Sequence, residues 1–356
     1  MQIIFSADLP EQAQAIMQSG GNFFGQTCWF ELLNKHVFSL QSNRQSGYLV
    51  GMNEDGFAEI ICPCQYVVKH RLLRSFNSLT CFYTPLFKLV TASNGVSNQQ
   101  IIEFFSSLAL QQPVWHRFVM HAMAKEDAQL IAETLNASGF DAVKYYCFAN
   151  WFLPVTYANF DDYLQQRPSI VMNTVRRKSL AFEKLSGSKV TIYSQAAELD
   201  QAAKDYAEVY AASWKQNEAY PEFMSDLFRL TAGQEGLRLA IAYIGEEPVA
   251  SQFWIVADQT AYIYKLAYKE QYKALGIGTV LTAMMMKHVM EIDQVKLVDY
   301  LTGDDAYKRD WMTHRRERWG VVAFNTSTLI GRIQYYLECI KNSLKGSFRE
   351  KQLEAD

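Results

Sequence analysis

The sequence predicts an α/β (α+β) protein built from two tandem halves, each a mixed twisted sheet flanked by helices. Three observations carry this. Hydrophobic residues make up 49% and charged residues 20% of the 356-residue chain, a balance of globular proteins rather than disordered or fibrous ones. Apolar spacing switches repeatedly between the helical repeat and strict alternation. The order of elements in the first half recurs in the second, and the length suits two domains that each bury a core.

In the first half, Phe23–Asn34 carries Trp29, Phe30, Leu32 and Leu33 at helical spacing. Val37–Leu40, Tyr48–Met52 and Phe57–Val68 read as strands between Gly and Asn turns. Asn98–Leu110 reads as a helix and Val114–Met120 as a strand. Lys125–Ala137 is a helix stopped by Gly139, and Phe140–Phe148 is a strand. Pro154 and Pro168 then interrupt the pattern, so the domains are expected at 1–155 and 156–345, with a flexible charged tail at 346–356.

The second half opens with an amphipathic helix, Ser169–Leu185, and a short strand, Lys189–Tyr193. Helices follow at Gln195–Gln216 and Glu222–Gln234. Leu237–Ile244 and Pro248–Val256 form a hairpin across a Gly-Glu-Glu-Pro turn. Ala261–Tyr268 alternates as a strand and feeds a glycine loop, Lys273–Thr279. A helix then runs to about Met290, and Val295–Tyr300 is a further strand. A strand near Trp319–Asn325 and a helix near Thr328–Leu344 complete the half.

A formal charge of −3 exerts no global pull on nucleic acid or acidic lipid. No apolar run is long enough for a membrane span, and no secretory leader pattern opens the sequence, so a cytoplasmic location is expected. The six scattered cysteines suit buried or free thiols better than a disulfide framework. Cys62-Pro63-Cys64 lacks a second ligand pair at zinc spacing and is read as strand; no metal is expected.

The run from Thr260 to Lys308 is the part that carries chemistry. A strand that enters a glycine turn and then a helix N-terminus offers unpaired N–H groups and partial positive charge to a pyrophosphate. Lys273, Gly276 and Gly278 resemble the Gln/Arg-x-x-Gly-x-Gly/Ala acyl-CoA loop of the GNAT acetyltransferase superfamily, with lysine at the first position. Asp299-Tyr300-Leu301-Thr302-Gly303-Asp304-Asp305-Ala306-Tyr307-Lys308 resembles the Asp-Phe-x-x-Gly-x-x-x-Tyr-Lys segment of the CelD-like branch, which is related to the Fem-type peptidyltransferases. Trp214-Lys215, expected in a helix, and the Gly245–Ala250 turn add to the match, which spans about 170–325. The resemblance implies tandem GNAT-like domains whose termini can exchange strands. The first half has no counterpart of the loop, Gly95 standing alone before its helix, so no cofactor is expected there.

What the resemblance implies is transfer of an acyl group, most simply acetyl, from acetyl-CoA or another acyl-CoA to the amine of a small molecule or amino sugar by direct attack. The backbone of Leu266, Ala267 and Tyr268 would pair with the pantetheine arm. Lys273, Leu275, Gly276, Ile277, Gly278 and Thr279 would hold the pyrophosphate, and Lys308 a phosphate or a carboxylate. Tyr307 is the candidate acid for the leaving thiolate, since a phenol matches a thiol in acidity. Asp299, at a strand's C-terminal end, and Asp304, in the following turn, are the candidate bases. Asp304 or Asp305 equally suits a helix N-cap. The bland readings are a packed Met284-Met285-Met286 stripe, a packed or surface His288, and solvated Arg176-Arg177-Lys178 and Arg315-Arg316-Glu317-Arg318 clusters, the last within reach of CoA phosphates or an anionic acceptor. The competing readings are an aminoacyl-tRNA-dependent Fem-type transferase and a non-catalytic binding protein of the same fold; the intact loop and the lack of basic excess favour the first, with no nucleic-acid partner.

Overall fold

The computed structural model describes the backbone of residues 1–18, 22–40, 42–92, 95–109 and 114–353, and side chains as far as residue 341. The chain forms two compact units: Met1–Cys147 with the segment from Glu317 onward, and Phe148–Arg316.

The first unit contains β1 (Gln2–Ser6), α1 (Glu11–Gln18), α2 (Thr27–Leu33), β2 (Arg44–Met52), β3 (Ala58–Lys69), β4 (Leu73–Ser78), β5 (Val90–Thr91), α3 (Asn98–Leu108), β6 (Arg117–Ala124), α4 (Lys125–Ala137) and the start of β7 (Asp141–Pro154). β1 to β4 pair antiparallel in sequence order, and β4 runs parallel to β6. Local chemistry sets the helix ends. Ser97 and Gln100 form a reciprocal capping box that starts α3. α4 ends at Gly139, φ +87, with the Gly139 and Phe140 amides returning to the Asn136 and Leu135 carbonyls. The strand predicted at Val37–Leu40 is instead a π turn, Asn34–Phe38, continuing α2; its buried Val37 and Phe38 are adjacent, which suits a helical face as well as a strand. Leu110, the predicted end of α3, lies outside the described residues.

The second unit begins in β7 and continues through α5 (Phe160–Gln165), α6 (Ser169–Glu183), β8 (Ser188–Tyr193), α7 (Leu199–Ala211), α8 (Pro221–Gly233), β9 (Leu237–Ile244), β10 (Glu247–Ala257), β11 (Thr260–Tyr268), α9 (Ile277–Glu291), β12 (Leu297–Asp299) and α10 (Ala306–Trp311). β8 to β11 pair antiparallel in order, β11 runs parallel to β12, and β12 pairs antiparallel with Phe152–Pro154 of β7. Leu281, Met285, Met286 and Val289 of α9 pack with Trp254, Ala261 and Val298 in one core, whereas Met284 of the predicted stripe faces outward. Replacing Leu281, fully buried, by Ala would cost about 2–5 kcal/mol.

Two predicted boundaries shift. β13 (His314–Phe324) pairs its Arg318–Phe324 part antiparallel with β6, so the last strand and α11 (Leu329–Leu353) belong to the first unit rather than to a domain at 156–345. α11 is helical through most of the span expected as a flexible tail at 346–356, of which residues 354–356 lie outside the described residues. The helix expected at Gln195–Gln216 is split: a short turn, Ala196–Glu198, precedes α7, and α7 ends at Ala211. Trp214 and Lys215 therefore sit in a loop.

Candidate active site

The open edge of β11 organises the site. β10 pairs with β11 along its whole length, but β12 pairs only with Thr260, Ala261 and Tyr262. Register shifts between Phe253 and Trp254, so Tyr264 is an extra residue in β11, and the bulge bends the strand where the two parallel strands part. Leu266, Ala267 and Tyr268 lie beyond that parting, with the edge turned away from β10 not paired to β12.

β11 then enters the 3-10 turn Glu270–Leu275 and Gly276, φ +66, from which α9 starts. Left-handed backbone suits glycine because a Cβ would crowd the following carbonyl. No side chain caps α9. Thr279 and Val280 donate to the Gly276 carbonyl, leaving the Ile277 and Gly278 amides, at the first two helical positions, without an acceptor in the helix. A Cβ at Gly278 would lie 3.2 Å from the Tyr268 ring. The turn is anchored from below. The buried Lys269 ammonium donates to Glu208 at 2.6 Å and Glu247 at 2.9 Å, and the Tyr272 hydroxyl donates to Glu247 at 2.6 Å. Lys273 is exposed and 3.7 Å from Glu270. Lys178, from a cluster read as solvated, crosses the turn: its methylenes border Gly276 and its ammonium donates to the Ala274 carbonyl at 2.6 Å.

Both predicted carboxylates are engaged by donors of the second unit. Asp299 is buried, and both oxygens are engaged: Oδ1 accepts from Asn150 Nδ2 at 2.6 Å and from the Leu301 amide at 2.7 Å, and Oδ2 accepts from Arg316 Nη2. Arg316 also donates to Asn150 Oδ1 at 2.6 Å and lies 4.3 Å from the Phe152 ring centroid. This knot holds Leu301 at φ 53, outside the usual range for leucine. Asp304 is exposed and accepts from Trp151 Nε1 at 2.7 Å and Arg315 Nη2 at 2.9 Å; these two donors, Arg315 foremost, hold its carboxyl below the usual range. Neither carboxylate offers an unbonded oxygen to a cleft. Arg315 and Arg316 are thus clamps rather than a solvated face.

Asp305 occupies the N-cap position of α10 without capping it; its carboxylate lies 3.3 Å from the Lys308 ammonium. Lys308 is buried, donates to the Thr302 carbonyl, and lies 5.6 Å from the Tyr300 ring centroid. Burial lowers its pKa although Asp305 opposes the change. Its ammonium is turned into the 302–305 turn rather than toward the glycine loop. Tyr307 stands edge-on to Tyr300, half-exposed, and burial followed by the Asp305 charge pushes its phenol up.

Three residues near this group were not among the predicted site residues. The Trp214 ring packs against Tyr268, tilted by 40° with centroids 4.4 Å apart. Lys215 lies over the Trp214 and Tyr210 rings, each centroid 5.7 Å away, and Lys265 of β11 lies 5.6 Å from the same Tyr210 ring while pairing with Glu218 at 3.0 Å. Burial first, then the Lys265 and Lys308 charges, pull the Lys215 pKa down to about 8. The sequence signal was Trp214-Lys215 itself, counted toward the family match and expected in a helix.

Residues 169–309 match the family model described as acetyltransferase (GNAT) domain. That stretch, within the second unit, is a GNAT domain, the mark of an acyltransferase. Among solved structures, FemX matches with a TM-score of 0.65 at 11% identity, covering 95% of this chain and 99% of its own. L-PGS from Bacillus licheniformis matches at 0.55 and 12%, covering 93% and 98%. The tandem GNAT protein from the clavulanic acid biosynthesis pathway matches at 0.51 and 10%, covering 90% and 98%. At such identities these likenesses establish the two-domain GNAT-like fold. No curated protein sequence matches the chain. Among the described residues no helix is long and apolar enough to cross a membrane, and no cluster of metal-ligating side chains occurs.

Proposed function

We propose that the GNAT domain transfers an acyl group, most simply acetyl, from acyl-CoA to an amine by direct attack. The observation that carries this is the edge of β11, unpaired with β12 past Tyr262, running into a glycine turn and an uncapped helix. The residues present fit the donor. The backbone of Leu266, Ala267 and Tyr268 would take the pantetheine arm, the Ile277 and Gly278 amides the diphosphate, and Gly276, Leu275 and Thr279 would shape the turn. Lys273 and Lys178 would add charge at its rim. Bound there, acyl-CoA supplies the thioester carbonyl.

The chain's own residues would then position and move protons. Tyr307 keeps its phenol protonated at neutral pH and would donate to the leaving sulfur. Asp299 would fix the strand end that presents the 300–308 segment, and Asp304 would brace it. Asp305, the carboxylate beside Tyr307 and Lys308, would receive the amine's proton, directly or through water. Calorimetry with acetyl-CoA, free CoA and longer acyl-CoAs tests the donor: binding is expected, and Gly278→Trp should abolish it. No binding would overturn the proposal in favour of an aminoacyl-tRNA donor, the Fem-type alternative, or a non-catalytic role. On a substrate so found, Tyr307→Phe should lower kcat by roughly 10²-fold or more; an unchanged kcat would remove Tyr307 as the acid.

A further inference from the structure

Resting on the acyl-transfer reading, we infer that the acceptor amine carries a single carboxylate, and that Lys215 receives it. The loop after α7 brings Lys215 over the Tyr210 ring, over which Lys265 also lies. Lys265 is matched by Glu218 at 3.0 Å, and Lys308 by Asp305 at 3.3 Å and the Thr302 carbonyl. The Lys215 ammonium has aromatic faces below it and no carboxylate or carbonyl partner among the described residues.

Two ammonium groups, Lys215 and Lys265, against one carboxylate, Glu218, leave one positive charge. A monoanion balances it; a phosphate dianion would exceed it. A half-buried cation lacking a paired counter-ion is costly, more so beside a like charge, and an incoming carboxylate would remove that cost. Lys215 and Lys265 lie 5.7 and 5.6 Å from the same Tyr210 ring centroid, which brings both within reach of one ligand group.

Position points to the acceptor rather than the donor. Trp214, which lies beneath Lys215, packs against Tyr268, and the Tyr268 ring borders Gly278. A carboxylate at Lys215 would therefore lie along the aromatic wall that leads from the glycine turn. Tyr210 and Glu218 also line a cavity of about 350 Å³ walled by Ala207, Pro221, Met224 and Phe228, with room for an acceptor's apolar part.

The test uses the full chain with ¹³C-labelled lysines, followed by NMR, with the Lys215 signal assigned by its loss in Lys215→Met. The probes are protein amino acids as free acids and as their amides. At least one acid should shift the Lys215 signal and raise its titration midpoint from about 8, while the matching amide should not. Inorganic phosphate should move it less than the acid does. If no acid moves the signal, or amides or phosphate move it as much, the inference is overturned. Lys265→Met separates site from surface: it should weaken the acid's effect at least threefold, and an unchanged response refutes the shared cluster. Acetyl-CoA calorimetry on the same sample reports separately on the donor reading, so the two can fail independently.

Discussion

Removing Arg316 should expose how much of the second unit depends on the Asp299 knot. In Arg316→Met the Asp299 carboxylate, only 2% exposed, keeps two neutral donors and loses its guanidinium. Breaking a buried pair by deleting one partner costs about 3–5 kcal/mol because a buried charge is left uncompensated. The Arg316 side chain is 36% exposed, so solvent screens part of the pair and about 3 kcal/mol is the better figure. For a unit of this size that lowers Tm by roughly 6–12 °C. The assay is calorimetry on Arg316→Met, Asp299→Asn and the double variant. The double variant should be more stable than Arg316→Met alone, because neutralising position 299 removes the orphaned charge, giving a coupling of about 2 kcal/mol. A melting point for Arg316→Met within about 2 °C of the parent, or a double variant that is simply additive, would refute the holding role. On any identified substrate, Asp299→Asn paired with Arg316→Met should keep much of kcat, since neither side chain is then the base.

Gly276→Ala should cost about 1–2 kcal/mol from the left-handed backbone alone, with Lys178 displaced as well, and should weaken acetyl-CoA binding; equal stability by urea unfolding would contradict the φ of +66. Lys215, depressed to about 8 in the fold against 10.5 unfolded, binds fewer protons folded than unfolded between those values, so its penalty is fully present below pH 8 and fades as pH rises toward 10.5. The groups facing it are Lys265, Glu218, Tyr210, Lys308 and Asp305. Lys215→Met should therefore be more stable than the parent near about pH 7, with the gain shrinking near about pH 10, read by urea unfolding at both.

How far the sequence could be read follows from what each signal depends on. The glycine turn, α9 and the β9–β10 hairpin rest on local rules of backbone freedom and periodicity, and they stand where expected. The open edge of β11 was visible only through the family resemblance, since no local pattern says where two parallel strands part. Asp299 looked like a base because ligands gather at strand ends. What decides its role is Asn150 and Arg316, distant in sequence or hidden in a basic run, and pairing at that separation has no local trace. Lys215 was passed over for a similar reason. A tryptophan-lysine pair reads as core helix until the chain is seen to leave the helix at Ala211. The last strand and α11 went to the wrong half because alternation identifies a strand but not its partner.

The choice between a CoA donor and an RNA-borne donor turns on how many unspent cations the loop can offer. Lys265, Lys269 and Lys308 are committed to Glu218, to Glu208 and Glu247, and to Asp305. Among the described residues at the rim of the turn, Lys178 is bonded to a carbonyl and the exposed Lys273 is loosely paired at 3.7 Å. Backbone amides and about two lysines suit a diphosphate, whereas six or more phosphate contacts mark a polynucleotide track. Acetyl-CoA affinity should then fall only about tenfold on a fourfold rise in salt. Calorimetry with acetyl-CoA and with an RNA oligonucleotide, each at two potassium chloride concentrations, decides it: tight RNA binding that falls roughly 10³-fold or more, with none by acetyl-CoA, would mean a long polyanion surface, and the single-diphosphate seat would have to be abandoned.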